Sequence, residues 1–488
     1  MTKQPVLTNF PSTIIASAKR RLQASIREFR ASVIRDSLSG YSVLFADVLP
    51  RRFLARIDPT QRQRSFGHVP VFWAWLAQIL EGNASCQRAL SLLQAWYHSS
   101  KLPIPQSGTG GYCQGRLRLT TSFLSQVHGR VLASLCRRRR AVDLWHGLQL
   151  IAIDGSSLQL SDTPANQEAY PQPSRQQPGC GFPVMGITGI LNLSHGGWEA
   201  IECSDYREHD ARVAQRMTAH IGEGDLLLAD RAYCSYQLIA TLQQRGAHVL
   251  MRLHQARHRV LDWRQGRRLS QIARLVTWQK PIKRPKGSEL SQQEWDALPE
   301  EMEVRMIKMG FEDRSGRRRD MIVVTTLLDN NQHDEYELSE LYARRWDIEL
   351  KLRDLKTTLG LEMLDVRTPE MARKTVLMMM IANNLIRTVM QQAATEAGRP
   401  VWQMSFKGIL DLTLASHQSF RPLATSHRLA KERRQKFIEI CATKVLNIRP
   451  YRHEPRAVKR RPKSHAYLTK PRGIYREIPH REHHRKPR

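Results

Sequence analysis

Three acidic residues, distant from one another in the chain, are the ones whose type and setting point to chemistry. Asp154 closes the apolar run Leu148–Ile153, and Asp230 closes the run Leu226–Ala229. Taken singly, an acid directly after such a run is more often a turn former or helix cap than a catalyst. Two of them on neighbouring buried strands behave differently. Brought close together in a partly dry cleft, their carboxylates either raise one pKa or require a cation. Hard divalent cations prefer oxygen ligands, so adjacent strand ends make a natural Mg²⁺ site, and a third carboxylate would complete a two-metal clamp.

The segment from Leu338 to Gly360 supplies that third acid. At about 100° per residue, Tyr342, Arg345, Glu349 and Lys356 fall within roughly 60° of arc on one helical face. Leu341, Ile348, Leu352, Leu355 and Leu359 form the adjoining apolar stripe, and Asp347 and Asp354 point towards solvent. Glu349 is thus the acid flanked by Arg and Lys beside the buried stripe. An ordinary amphipathic helix laced with ion pairs would give the same local pattern.

The elements that must position these residues follow from periodicity. Residues 1–147 read as a mostly helical unit, with apolar residues at helical spacing in Ser12–Phe29, Val69–Leu80, Cys86–Trp96 and Leu119–Leu135. The glycines of 107–112 mark a loop, and a helix-turn-helix is compatible with Ala84–Leu119. From Leu148 the pattern becomes three strands, helix, strand, helix, strand, which is a mixed α/β sheet. The strands are Leu148–Ile153, Gly186–Leu193, Trp198–Asp205, Leu226–Ala229 and Ala247–Leu253. Residues 255–335 read as an inserted β-rich subdomain, with strands at Arg274–Trp278, Met302–Met309 and Met321–Leu328 and a short helix near Gln292–Leu298. Helices resume from Tyr336 to about Gly360 and at Ala372–Thr395. The division is therefore a helical domain over 1–147, a core over 148–254 and 336–396 interrupted by 255–335, a helical region over 397–448, and a tail over 449–488. That tail has fourteen Lys or Arg against three acids, interleaved with proline, and reads as flexible.

Composition narrows the partner. Lys and Arg number 76 against 45 acids, a formal charge of +31 on a chain of 488 residues that is 41% hydrophobic. Such an excess on a folding-competent chain points to a polyanion, nucleic acid first. The apolar stretches Val69–Leu80 and Val376–Ile386 are too short to cross a bilayer, and Met1–Pro11 is not a signal peptide, so no membrane role is expected. Seven cysteines without a C-x2-C pair fit neither a disulfide framework nor a zinc finger. A cytoplasmic, nucleoid-associated protein is expected.

Tyr342, Arg345, Glu349 and Lys356 match without a gap the Y-R-E-K signature of the insertion-sequence-four family of DDE transposases. Asp154-Gly155-Ser156-Ser157 resembles that family's first aspartate motif. Asp230-Arg231-Ala232-Tyr233 resembles the second, where glycine is commoner than Ala232. The order of acid, acid, inserted β region and acid also matches. The resemblance implies a ribonuclease-H-like mixed sheet with an inserted β subdomain, between a helical N-terminal domain that binds DNA ends and C-terminal helices with a basic tail. It implies Asp154, Asp230 and Glu349 as catalytic residues holding two Mg²⁺ ions, with Mn²⁺ as a substitute, and Tyr342, Arg345 and Lys356 as DNA contacts. It further implies cut-and-paste transposition: binding of terminal inverted repeats in double-stranded DNA, a hairpin intermediate, and a homodimer that synapses two ends and joins 3′ ends to target DNA. A ribonuclease-H-like nuclease without strand transfer, or a catalytically silent DNA-binding relative, are the rival readings.

Other features weigh less. Trp278 suits core packing better than stacking on an unpaired base. Ser156 and Ser157 lack a His–acid pair at a telling spacing. The H-x-x-R repeats at His254–Arg257 and His453–Arg456 have no suitably placed tyrosine, and His480, His483 and His484 sit in the basic tail.

Overall fold

The apolar runs between residues 148 and 328 become strands of a single mixed sheet. The computed structural model describes residues 40–59, 65–259, 262–312, 318–423, 426–446, 468–471 and 474. The expected helix Ser12–Phe29 and nearly all of the basic tail, including His480, His483 and His484, lie outside these residues. In chain order the strands are β1 (Gln149–Leu160), β2 (Val184–Asn192), β3 (Trp198–Asp205), β4 (Asp225–Ala229), β5 (His248–Arg252), β6 (Arg267–Arg268), β7 (Ala273–Gln279), β8 (Glu301–Glu312), β9 (Arg318–Thr325) and β10 (Met363–Leu364). Their order across the sheet is β3-β2-β1-β4-β5-β9-β8-β7-β6, with β10 on β1. β1, β4 and β5 run parallel, while β2 lies antiparallel to both β1 and β3. The order β3-β2-β1-β4-β5 with these directions is the ribonuclease-H-like arrangement.

The strands of 267–325 extend this same sheet. β9 pairs antiparallel with β5 through Leu250↔Thr325 and Arg252↔Val323, covering an edge that would otherwise present unpaired backbone. Their inward side chains join the central core. Trp278, Trp295, Val304, Met306 and Val324 are buried in one cluster with Ile151, Leu227 and Val249.

β1 does not stop at Asp154. It runs on to Leu160, because β2 pairs with it in unbroken register from Ile151↔Asn192 to Gln159↔Val184. Asp-Gly reads as a turn locally, yet the neighbouring ladder decides the conformation. The expected single helix from Tyr336 is also interrupted. It forms as Glu335–Ala343 and Trp346–Arg353, joined by a tight turn, and ends in a π-helical turn at Asp354–Thr358. Asp334 caps the first helix by accepting from the N–H groups of Tyr336 and Glu337.

The described residues within 1–137, 384–399 and 404–444 group as one compact unit, and the sheet belongs to the other. The C-terminal helices Phe406–Ser416 and His427–Ala442 thus group with the N-terminal helices instead of standing as a region of their own. The helix His68–Leu80 is buried at every position, as its all-round apolar sequence requires. The loop expected over 107–112 is shorter: residues 107–109 stay outside helices, while Gly110 and Gly111 begin the helix Gly110–Arg118. A Cβ on Gly111 would lie 2.5 Å from the Phe66 ring and one on Gly115 2.7 Å from Val71, so these glycines permit close packing. All seven cysteines are free. No helix among the described residues is long and apolar enough to cross a membrane.

Candidate active site

The pairing of β1 with β4 brings the two aspartates level. Parallel register runs from Gln149↔Asp225 to Ala152↔Leu228, and two residues further along each chain stand Asp154 and Asp230. Neighbouring strands lie about 4.8 Å apart, so Asp154, within β1, and Asp230, just past the end of β4, stand side by side. Tyr233 records the convergence. Its buried phenol is pushed above the ordinary tyrosine pKa by burial first, then by the charges of Asp210, Asp154 and Asp230.

Glu349, on the helix Trp346–Arg353, shares a cavity with Asp154. A cavity of about 340 Å³ is lined by Asp154, Ser156, Glu349, Arg353, Lys356 and Glu362. Burial pushes the Asp154 carboxyl up to about 6; a hydrogen bond from the Gly155 N–H at 2.9 Å and the charge of Arg345 pull the other way, and Glu349 and Asp210 add to the rise. Among the described residues, Asp230 has no side-chain hydrogen-bond partner. Glu349 accepts one bond, from Nη1 of Arg345 at 3.2 Å. The donors are oxygens with lone pairs to spare, the set a hard divalent cation takes.

The three expected DNA contacts also lie here, in unequal settings. Lys356 Nζ donates to Ser156 Oγ at 3.2 Å, so Ser156 serves as an acceptor at the cavity wall. Arg345 is 7% exposed and bridges to Glu349. Tyr342 is 4% exposed, and its hydroxyl donates to the Ala229 carbonyl at 3.3 Å, tying the helix to the residue before Asp230. Burial, opposed by Arg345 and reinforced by Asp230, pushes that phenol up to about 12.

Asp210 was not singled out from the sequence. It opens the helix Asp210–Arg216, and a Cβ on Gly155 would lie 2.8 Å from its Oδ1. The glycine next to Asp154 therefore admits a further carboxylate. The available signal was an acid in a first helical turn after a strand; the side on which that helix crosses the sheet is not written in the local sequence. Trp278 is a core residue, 6% exposed, with Arg257 over its ring.

Residues 145–385, which include all three acids, match the transposase DDE domain. The chain belongs to the DDE transposase family. This DDE transposase is 24% identical over 380 residues to the transposase InsG for insertion sequence element IS4 of Escherichia coli (strain K12), a span of 76% of this chain and 82% of that protein. It is 35% identical over 140 residues to the putative transposase InsZ of the same organism, covering 28% of this chain and 46% of that one. Among solved structures, a cryo-EM structure of the piggyBac transposase synaptic complex with hairpin DNA aligns with 78% of this chain and 80% of that chain, with a TM-score of 0.40 and 10% identity. As a DDE transposase the chain is an enzyme that binds DNA, cleaves it and transfers its strands, and that chemistry depends on divalent metal.

Proposed function

We propose that this transposase moves its own insertion sequence by cut and paste, with Asp154, Asp230 and Glu349 as the catalytic carboxylates. The observation that carries the proposal is a helix-borne glutamate sharing a cavity with Asp154, whose carboxyl is pushed up to about 6, while Asp230 stands two residues beyond the last paired position of the adjacent strand, as Asp154 does on its own. Three oxygen donors with few internal partners suit two Mg²⁺ ions, and Mn²⁺ has the same ligand preference. When bound, the ions supply an activated oxygen nucleophile and neutralise charge at the reacting phosphate. The side chains do the rest. Asp154 and Asp230, positioned by the sheet, and Glu349, positioned by the Arg345 bridge, would hold those ions. The new bond joins the attacking oxygen to phosphorus, the 3′ oxygen leaves, and a later attack by the freed 3′-hydroxyl on target DNA exchanges one phosphodiester for another. Arg345 and Lys356 offer phosphate contacts, Arg with two parallel N–H groups. Tyr342, whose hydroxyl is spent on Ala229, holds the helix in place.

The substrate is double-stranded DNA ending in the terminal inverted repeats, bound in part by the helical unit and synapsed by a homodimer in the cytoplasm, at the nucleoid. Incubation with paired terminal-repeat DNA and Mg²⁺, scoring cut and joined products, tests the scheme. Joined product is expected. Cleavage without joining would favour a nuclease, and binding alone a silent relative.

A further inference from the structure

A larger cavity stands beside the carboxylate cleft and has no part in the scheme above. It measures about 680 Å³ and lies past the C-terminal ends of β4 and β5, where open α/β sheets place their ligands. Its walls come from four segments, 207–215, 232–237, 254–257 and 281–288, together with Trp295. Two of these also border the cleft. His209 and Ala211 line the cavity, while Asp210 between them faces Gly155. Ala232 and Cys234 line it too, just after Asp230.

The charges on these walls are unequally satisfied. Arg207 is paired with Asp205, and Arg212 with Glu208 and Glu289. Glu208 is held again by Arg216. Arg257 and Lys286 are left over, since no carboxylate pairs with either among the described residues. Lys286 is exposed. The Arg257 guanidinium lies 4.1 Å from the centroid of the buried Trp278 ring, and its own burial holds its pKa below the usual arginine value. An arginine held over an indole has already lost rotamer freedom and hydration, so its N–H fork meets an anion at reduced cost.

We infer that this cavity is a phosphate channel through which a DNA strand leaves the carboxylate cleft, with Arg257 and Lys286 contacting its backbone. The inference rests on the proposed function, because only a strand engaged at Asp154 and Asp230 would be delivered to these walls. The repeating phosphodiester is presented equally by the end of the element and by target DNA, so the shared chemistry is the backbone.

The test is binding by the full-length protein as a function of salt. Two duplexes of equal length are used, one ending in the terminal repeat that flanks the coding region and one of unrelated sequence. Each lost phosphate contact lowers the slope of log K against log salt by about 0.9. Lys286→Gln and Arg257→Gln should each lower it by about 0.9, and the double variant by about 1.8. Arg257→Lys should recover the slope, because the charge remains. A drop with the repeat duplex alone assigns the channel to the element's end, a drop with the unrelated duplex alone assigns it to target DNA, and a drop with both assigns it to a shared path. Unchanged slopes for Lys286→Gln on both duplexes overturn the inference, since an exposed side chain can be replaced without disturbing the fold. Asp154→Asn, assayed alongside, separates the two readings. If it abolishes cleavage while the channel variants leave the slopes unchanged, the channel alone falls; if it cleaves normally, the carboxylate scheme falls.

Discussion

The two ends of the strand pair β1 and β4 carry the same kind of residue in opposite states. At the N-terminal end, Asp225 is 6% exposed and well supplied. Gln149 Nε2 donates to its Oδ1 at 2.7 Å and the Gly222 N–H to its Oδ2 at 2.9 Å. Behind them Asn192 donates to both Gln149 and Glu199. Five residues further along each strand stand Asp154 and Asp230, with one backbone bond between them. Burial raises the pKa at both Asp225 and Asp154. At Asp225 the hydrogen bonds of Gly222 and Gln149 oppose the rise, whereas at Asp154 the charges of Glu349 and Asp210 reinforce it. One end of the sheet completes its acid internally. The other collects acids and leaves their lone pairs for a ligand, at a cost to the apoprotein.

The contrast is broken or upheld most sharply by removing charge at each end. Asp154→Asn, Asp230→Asn and Glu349→Gln should each lower DNA cleavage by more than about 100-fold, the upper scale at which outer-shell partners of a metal site already act. DNA affinity should stay close to the parent value, because phosphate contacts come from basic side chains. Gel-resolved cleavage and parallel binding curves measure both. A variant that still turns over within tenfold of the parent would remove that residue from the catalytic set.

Much of this site was legible because its parts are local. The run Leu226–Ala229 and its closing Asp230 appear as read, and the stripe Leu341, Ile348, Leu352, Leu355 and Leu359 is buried as its spacing requires. What failed depends on partners remote in sequence. Asp154-Gly155 stays in a strand because β2 pairs across it, and Gly111 sits in a helix whose face packs closely on Phe66. The ideal helical wheel overlooked the tight turn at Arg344–Arg345 and the π-helical turn at Asp354–Thr358, yet Glu349 and Lys356 still share one cavity. Asp210 stayed hidden because local sequence carries no sign of which helix crosses which strand.

The same contrast predicts opposite stability effects. In the folded chain Asp154 titrates near 6 instead of 3.8. Between those pH values the native state holds a proton that the unfolded state lacks, so this group's contribution is fully present below pH 3.8 and is lost as pH rises through about 6. At pH 8 the ionised carboxyl costs the metal-free fold up to about 3 kcal/mol. Asp154→Asn should therefore raise metal-free stability at pH 8 by up to about 3 kcal/mol and hardly alter it at pH 4. Added Mg²⁺ should stabilise the parent but not the variant. Denaturant titrations at the two pH values decide; a variant less stable than the parent at pH 8 would show that Asp154 is a structural acid like Asp225. Conversely, Asp225→Ala should destabilise by about 1–3 kcal/mol, through the donors it leaves unpaired, with Mg²⁺ stabilisation retained.

The smallest effect is expected at Ser156, and it separates two chemistries. Its hydroxyl lies in the cleft beside Asp154, the place a serine nucleophile would occupy, but it accepts a bond from Lys356 Nζ at 3.2 Å. A hydroxyl in that role steadies the lysine and forms no bond to phosphorus. A single hydrogen bond of this kind contributes about 0.5–1.5 kcal/mol, so Ser156→Ala should slow cleavage by at most about tenfold. The loss should appear mainly as weaker DNA binding, because the lysine is the group that meets phosphate. A nucleophile behaves otherwise: its removal would stop turnover while binding persists, and a protein–DNA adduct would be trapped from the parent under denaturing conditions. Single-turnover cleavage by Ser156→Ala, with denaturing gels of the parent reaction, distinguishes the two, and an adduct in those gels would replace direct attack by a free hydroxyl with a covalent route.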